Sequence, residues 1–413
     1  MTDLMINAER LNARLAEIGE IGAIPGTTGS NRQALTDDDK LGRDLFIKWA
    51  QEAGCRVRID EIGNIFARLK GTDDSLPAVI TGSHLDTQPT GGKFDGIYGC
   101  LAGLEVIQTL VDNKVKLAHP IEAVVWTNEE GCRFSTAMMG SAVWAGNMPL
   151  DEAYSLEDSD GKTVKEELTR IGFLGNERAH YTPVRAAFEA HIEQGPVLEH
   201  ADTTIGVVKS VQWMSRHKAM IYGQEAHAGP TPMRLRKDPV QALAKILPKA
   251  YSAAKSTGEE GRITFGYIDT QPGSNNTVPG LLTFTIDIRH PEQKAYESIV
   301  RDVYKVIDEA CKDLELEYSL EEFWSSPGIE FDTDCIQAVE SAVSKLGYTS
   351  MSMFSGAGHD ACNISSVVPT SMIFIPCRDG LSHNVNEFAK PEHVTAGANV
   401  LLHAMINQAM RKD

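Results

Sequence analysis

The stretch LPAVITGSHLDTQPTGGKFDGIYG, Leu76–Gly99, decides how the rest of the chain is read. Leu76 to Thr81 is an apolar run with the length and composition of a buried strand. His84, Asp86 and Asp95 follow at its end, among glycines and one proline that let a loop fold back on itself. Imidazole nitrogen and carboxylate oxygen are ligands for zinc-like cations, and a ligating His usually hands its second N–H to a carboxylate. Asp86 is the candidate for that supporting role. A solvated turn of ordinary polar residues is the other reading of this stretch, and the flanking sequence decides between the two.

Upstream, Thr36 followed by Asp37, Asp38 and Asp39 marks a helix start, and Gly54 marks a stop. Cys55–Asp60 and Asn64–Leu69 read as short strands. Downstream, Ile97–Leu110 has helical apolar spacing, and IEAVVWT, Ile121–Thr127, is a continuous apolar strand ending in Asn128, Glu129, Glu130 and Gly131. Strands alternating with helices predict a parallel or mixed sheet, whose ligands gather at the carboxyl ends of the strands. Ala187–Gln194, AFEAHIEQ, places His191 and Glu193 on another such strand. From about Gln212 the order changes, with strands at Ala219–Tyr222, Thr264–Ile268 and Leu281–Ile288 and helices at Pro239–Ala254 and Pro291–Leu314. The expectation is an α/β protein of two domains. A catalytic domain, residues 1–210 and 327–413, holds a central mixed β-sheet flanked by helices, and an α+β domain, residues 211–326, is inserted into it. The last part supplies a helix (Cys335–Leu346), the glycine-rich SGAGHDA loop, a strand (Ser371–Pro376), a loop with His383 and a helix from Pro391.

A chain of 413 residues has room for two domains, and 42% apolar with 23% charged residues is the composition of an ordinary globular protein rather than a disordered one. A formal charge of −18 argues against nucleic acid or an anionic membrane as partner, but leaves an anionic small substrate possible through local positive charge. The seven cysteines lack CxxC spacing and read as buried small side chains in a reducing cytosol. Met1–Gly22 alternates charged and apolar residues as an amphipathic helix does, without a signal-peptide core. No run of ~18 apolar residues occurs, so a cytoplasmic protein without a membrane span is expected.

The candidate constellation is His84, Asp95, Glu129, Glu130, His191 and His383. Two cations ~3.5–4 Å apart, bridged by one carboxylate, can hold both oxygens of a hydrolytic step. Asp95 is the expected bridge, with His84 and His191 completing one site and Glu130 and His383 the other. Adjacent residues of an extended chain point in opposite directions, which leaves Glu129 free to act as general base. Each of these residues can instead be a satisfied core or loop group, with Glu129 and Glu130 capping the next helix. The chemical reading is favoured because every one falls at or just beyond a predicted strand end. His119, His180, His200, His217, His290, His393 and His403 read as surface or packing residues, while His359 of SGAGHDA stays open between ligand and substrate-side support. His227 can offer positive charge to an oxyanion, and Arg289 suits either a bidentate grip on a carboxylate or a strand-end salt bridge.

Taken together, GSHLDT, GGKFDG, TNEEGCRF, HIEQGPVLE, GQEAHAGPTPM, NTVPG, DIRHP, SGAGHDA and SHNVNE run in this order through nearly the whole chain. The ordered set resembles the M20-type metallo-amidohydrolases, and more narrowly the N-carbamoyl-amino-acid hydrolase, β-ureidopropionase and allantoate amidohydrolase group. The resemblance implies a catalytic domain with two zinc or manganese ions and an inserted lid domain that also forms a homodimer. Three imidazoles and two carboxylates suit cobalt and nickel as well. It implies Glu129 as base, with Asp86 and His227 in the catalytic set. Gln194 would contact a ureido group, Arg289 a substrate carboxylate, and Ser382 would line the same site, while His227 and Asn276 would reach in from the partner subunit to hold the carboxylate and the oxyanion. The implied reaction hydrolyses the N-carbamoyl group of a small ureido acid to amine, carbon dioxide and ammonia. DTQP, Asp86–Pro89, leans towards the carbamoylase and β-ureidopropionase branch, with allantoate or another ureide as runner-up. Dipeptidase or aminoacylase chemistry is disfavoured because those relatives commonly carry a carboxylate where His191 stands. A non-catalytic binding relative is disfavoured because Glu129 and all five expected ligands are present.

Overall fold

The computed structural model describes residues 4–411, so the first residues of the expected N-terminal helix, Met1 to Asp3, and the last two of the chain lie outside the described residues. The helix itself runs Ala8–Gly19, capped by the Asn7 side chain. The chain divides into two compact units, Met1–Lys209 with Glu330–Asp413, and Ser210–Ile329.

The first unit is built on β1 (Arg56–Ile59), β2 (Ile65–Leu69), β3 (Ala78–His84), β4 (Ile121–Trp126), β5 (Val184–Ile192) and β6 (Ile205–Val211). Its sheet runs β1-β2-β4-β3-β5, then Thr370–Ile375, β6 and Ile329–Glu330. β4, β3, β5 and Thr370–Ile375 are mutually parallel, whereas β2 and β6 are antiparallel to their neighbours. This is the mixed sheet the apolar runs predict. β3, β4 and Thr370–Ile375 are buried at every position, as strands covered on both faces must be.

Helix Ile97–Asp112 connects β3 to β4 and lies close on the sheet because of two glycines. A Cβ on Gly99 would come 2.4 Å from the Ala190 carbonyl oxygen, and one on Gly103 2.7 Å from Thr81 Cγ2. Helix Asp37–Glu52 starts as predicted, with Thr36 Oγ1 accepting from the Asp39 N–H and three aspartates in the first turn.

β3 extends past its apolar run to His84. Ser83 is accommodated inside the sheet because its hydroxyl donates to Glu189 on β5 at 2.7 Å, a pairing that hydropathy does not reveal. His84 is therefore the last residue of a strand, in register with Trp126, and not part of a free loop. Because four strands are parallel, His84, the segment after Trp126, the segment around His191–Gln194 and the segment after Ile375 emerge at the same edge of the sheet.

The second unit is an antiparallel sheet in the order Ile268–Gln271, Leu281–His290, Trp213–Tyr222, Glu317–Ser326, with Arg262–Thr264 also pairing Leu281–His290. Ala219, Ile221, Leu282, Phe284, Ile286 and Ile288 pack against Ala242 and Ile246 of helix Pro239–Ser256 and Ile299 and Val303 of helix Gln293–Asp313. The strand expected at Thr264–Ile268 is two strands separated around Gly266, and the one expected at Ala219–Tyr222 is the end of a longer one with a polar middle, Ser215–Lys218.

Candidate active site

Among the described residues three groups of potential ligating atoms occur: His84, Asp95 and His191; Asp95, Glu130 and His383; and Glu189, His191 and His359, of which the first two stand at the carboxyl edge of the first unit's sheet. Asp95 belongs to both. Its Oδ1 lies 3.1 Å from His191 Nε2 and 3.7 Å from His84 Nε2, while Oδ2 lies 3.5 Å from His383 Nε2, which is itself 3.3 Å from Glu130 Oε2. Glu129 belongs to neither group and places Oε2 3.4 Å from His84 Nε2. The helix after Glu130 begins only at Met139, so the two glutamates do not cap it.

His84 gets its room from Gly96, whose φ of +70° favours glycine and whose Cβ position would fall 2.3 Å from the His84 ring. The Nδ1 atoms of His84 and His191 donate to the carbonyl oxygens of Asp86 (2.8 Å) and Ile192 (2.9 Å). That leaves Nε2 as the ring atom of each that faces Asp95, and the His191 one also meets the Gly96 N–H at 3.1 Å.

The expected bond between His84 and the Asp86 carboxylate is not the one formed. Asp86 supports His84 through its main-chain carbonyl, and its nearest carboxylate oxygen is 3.9 Å from Nδ1. That carboxylate instead accepts the main-chain N–H groups of Glu129 (3.3 Å) and Glu130 (3.2 Å), just after Asn128 has turned the chain at a φ of 55°. Two converging N–H donors suit an anion better than one already committed imidazole. Asp86 is thus a support for the Glu129–Glu130 backbone.

The electrostatics ask for positive charge. Burial pushes Glu129 well above the ordinary carboxylate range, and Asp360, Glu130, Asp86 and Asp95 push it further. Glu130 is raised in the same way by burial, Asp95 and Asp86. Burial would raise Asp95 too, but the hydrogen bond from His191 and the charges of His191, His84 and His383 carry it below its usual range. Burial lowers the proton affinity of His191, and Asp95 more than offsets this, raising it to about 9. Imidazole nitrogens facing a carboxylate, with further buried carboxylates around them, are satisfied by a proton or by a cation between the two. The donor set of nitrogen and oxygen atoms therefore fits divalent metal.

Gln194, at a φ of 58°, donates its amide to Asp95 Oδ2 (2.7 Å) and to Ser382 Oγ (3.2 Å), and the Ser382 hydroxyl donates to the same Asp95 oxygen. Gln194 Oε1 is buried without a hydrogen-bond partner. His359 is buried, with Nε2 2.8 Å from Ser355 Oγ and its ring edge-on to His191 at 4.6 Å between centroids. Burial and the neighbouring His191 keep it neutral, so it packs behind a ligand, and the nearby Glu189 is held by Ser83 and by the Ala361 N–H.

His227, Asn276 and Arg289 belong to the second unit. His227 is exposed on a two-residue strand paired to Thr277–Val278, its Nδ1 accepting from the Gly229 N–H, and Asn276 Oδ1 accepts from Ser274. Arg289 grips Asp287 through Nε (2.6 Å) and Nη2 (3.0 Å), the contact expected of a strand-end salt bridge.

Two residues of the site escape a reading for ligands. Glu387 accepts the N–H groups of Phe94 (2.8 Å) and Asp95 (3.0 Å) on one oxygen and so pins the loop that carries Asp95. Gln88 hydrogen-bonds Glu130. Both lie inside the quoted motifs SHNVNE and DTQP, which are the only signal for them.

A shared carboxylate between two ligand groups, at the carboxyl edge of a mixed sheet, is an arrangement that suits metal-assisted hydrolysis. Residues 80–407 match the profile of Peptidase family M20/M25/M40, and the chain belongs to that family as an amidohydrolase. It is 43% identical over 406 residues, 98% of this chain and 97% of the relative, to an N-carbamoyl-L-amino-acid amidohydrolase of Rhizobium meliloti. It is 31% identical over 435 residues, 96% of this chain and 88% of the relative, to allantoate deiminase 1 of Glycine max. A hydantoinase/carbamoylase family amidase from Burkholderia multivorans superposes with a TM-score of 0.96 at 46% identity, covering 99% of this chain and 100% of that one.

Proposed function

We propose that this enzyme hydrolyses the ureido C–N bond of N-carbamoyl-L-amino acids, releasing amino acid, carbon dioxide and ammonia. The observation that carries the reading is the sharing of Asp95 between two ligand groups, with Glu129 left outside both. His84 and His191 would hold one divalent cation and Glu130 and His383 the other, with zinc, manganese, cobalt or nickel all compatible. When bound, the pair supplies the Lewis acidity that a urea carbonyl, deactivated by two donating nitrogens, requires.

Glu129, outside both ligand groups and beside His84, takes the proton of the attacking water and returns it to the leaving nitrogen. The unpartnered Gln194 Oε1 suits a ureido N–H, which distinguishes a carbamoyl group from a simple acyl group. Arg289 exchanges Asp287 for the substrate carboxylate, while His227 and Asn276 of a partner subunit hold the carboxylate and the developing oxyanion. In this reading the second unit acts as lid and dimerisation element, and the enzyme works in the cytoplasm as a homodimer. Its partners in this reading are substrate, cation and a second subunit, with no role for nucleic acid or membrane. Among the described residues, no helix is long and apolar enough to cross a membrane, and no disulfide forms among the seven cysteines.

The test is ammonia release by chelator-treated enzyme, with and without added Mn2+ or Zn2+, from N-carbamoyl-L-amino acids, N-carbamoyl-β-alanine and allantoate. Metal-dependent turnover of a carbamoyl-amino acid is expected, and Glu129→Gln is expected to lower kcat by about 10²–10⁴-fold. Turnover of allantoate alone would move the enzyme to the ureide branch that its relatives also populate. Silence on all three substrates with metal bound would overturn the proposal.

A further inference from the structure

Glu129 and Glu130 are chemically identical neighbours given opposite tasks, and the structure holds them with one short stretch, Asp86–Gln88. Asp86 grips their two main-chain N–H groups, one on each carboxylate oxygen. That fixes the backbone but leaves both side chains to be aimed. Gln88 then takes only one of them: its main-chain N–H donates to Glu130 Oε1 at 3.2 Å and its side-chain amide to Glu130 Oε2 at 2.7 Å. An ionised carboxylate only accepts, so two donors from one residue, one per oxygen, fix both its direction and its rotation. The oxygen that receives the amide is also the one 3.3 Å from His383 Nε2. A half-buried loop glutamine with no structural task would leave its amide to solvent, whereas here side chain and backbone converge on one carboxylate.

We propose that Gln88 is the positioning residue that assigns Glu130 to the His383 side as a metal ligand and thereby leaves Glu129 as the base. The proposal rests on the reading of Asp95, Glu130 and His383 as the second of two metal positions. Gln88 touches neither substrate nor cation in this role. It acts through Glu130, as outer-shell partners act through first ligands, and loss of such a partner typically costs about 10–100-fold in metal affinity or activity.

The full-length protein, stripped of metal, is titrated with Zn2+ against a competing chromophoric chelator, as wild type, Gln88→Met and Gln88→Asn. Methionine keeps the unbranched length without a donor, and asparagine keeps the amide but withdraws it by one methylene. The expected result is two equivalents in wild type, with the weaker one loosened about 10–100-fold in both variants. The tighter equivalent and the thermal midpoint of the metal-free protein are expected to stay as in wild type. Excess metal is then expected to restore kcat with KM unchanged. Equal affinities in wild type and variants overturn the role of Gln88, as does a parallel loss of both equivalents together with metal-free stability, which marks a fold support. A wild-type protein that takes up no second ion overturns the two-metal reading itself, and the role of Gln88 with it.

Discussion

Asp95, just before helix Ile97–Asp112, and Arg289, near the end of strand Leu281–His290, are both candidate site residues, and they are held in opposite ways. In the first unit, Asp95 has one oxygen held by Gln194 and Ser382 beside His383 and the other facing two imidazole Nε2 atoms, so its surroundings are fixed and short of positive charge. In the second unit, Arg289 is closed by Asp287, His227 by the Gly229 N–H and Asn276 by Ser274. A rigid site short of positive charge binds an ion without rearrangement. A locally closed pair must open to bind anything, and so can report the arrival of substrate. The first unit thus suits an ion that stays, whereas the second can take a ligand only by opening contacts it already makes.

The sharpest way to break this difference is to spoil the rigid side. Gly96→Ala forces a Cβ to within 2.3 Å of the His84 ring at a φ that disfavours side chains. Metal titration is expected to show the affinity of the tighter ion reduced by about 100-fold, with kcat falling in parallel and KM little changed. Unaltered metal affinity would mean that the rigidity of the His84 pocket is not what selects the ion.

A smaller effect is expected on the exchangeable side. Arg289→Ala removes a charged hydrogen-bond donor worth about 1.5–3 kcal/mol, so KM for a carbamoyl-amino acid is expected to rise about 10-fold or somewhat more. Metal stoichiometry is expected to stay as in wild type. Arg289→Lys keeps the charge without the planar fork and is expected to fall between. If Arg289→Ala left KM unchanged, the Asp287 pair would be purely structural and the carboxylate grip would lie elsewhere.

How much of this was legible in the sequence follows the same division. The parallel centre of the sheet showed itself because β4 and Thr370–Ile375 are buried on both faces and therefore read as unbroken apolar runs. The site residues showed themselves because the carboxyl ends of such strands are where the chain can afford a polar cluster. Polar contacts between distant segments left no such trace. Nothing in the local sequence says that Glu189 lies beside Ser83, 106 residues away, so the last turn of β3 was hidden. Nor does spacing say that the Asp86 carboxylate serves the backbone 43 and 44 residues later instead of its neighbour His84. In the second unit, the long strand Trp213–Tyr222 carries the polar run Ser215–Lys218, whose buried Ser215 and His217 hydrogen-bond each other, and an apolarity reading cut it short.

The smallest effect, and the finest comparison of the two units, is in how each responds to pH without metal. His191 in the first unit has its pKa raised to about 9, burial being outweighed by Asp95, against an ordinary value of 6.5. Its contribution to stability is therefore present in full below pH 6.5 and is lost as pH rises through about 9. His217 in the second unit is shifted the other way: burial lowers it, with Ser215 and Tyr304 on its two nitrogens and Glu322 and Asp287 opposing more weakly. Its contribution is present above pH 6.5 and is lost as pH falls below that value. Thermal unfolding of metal-stripped protein between pH 5 and 10 is expected to give differences from wild type of opposite slope. His217→Phe should flatten the acid limb and His191→Asn the alkaline one, each by at most about 1.4 kcal/mol per pH unit. Saturating Zn2+ should abolish the alkaline effect alone, because a cation on His191 replaces the proton whose loss produces it. If the metal instead flattened both limbs, or neither, the buried imidazole of the first unit would not be the group whose proton the ion displaces.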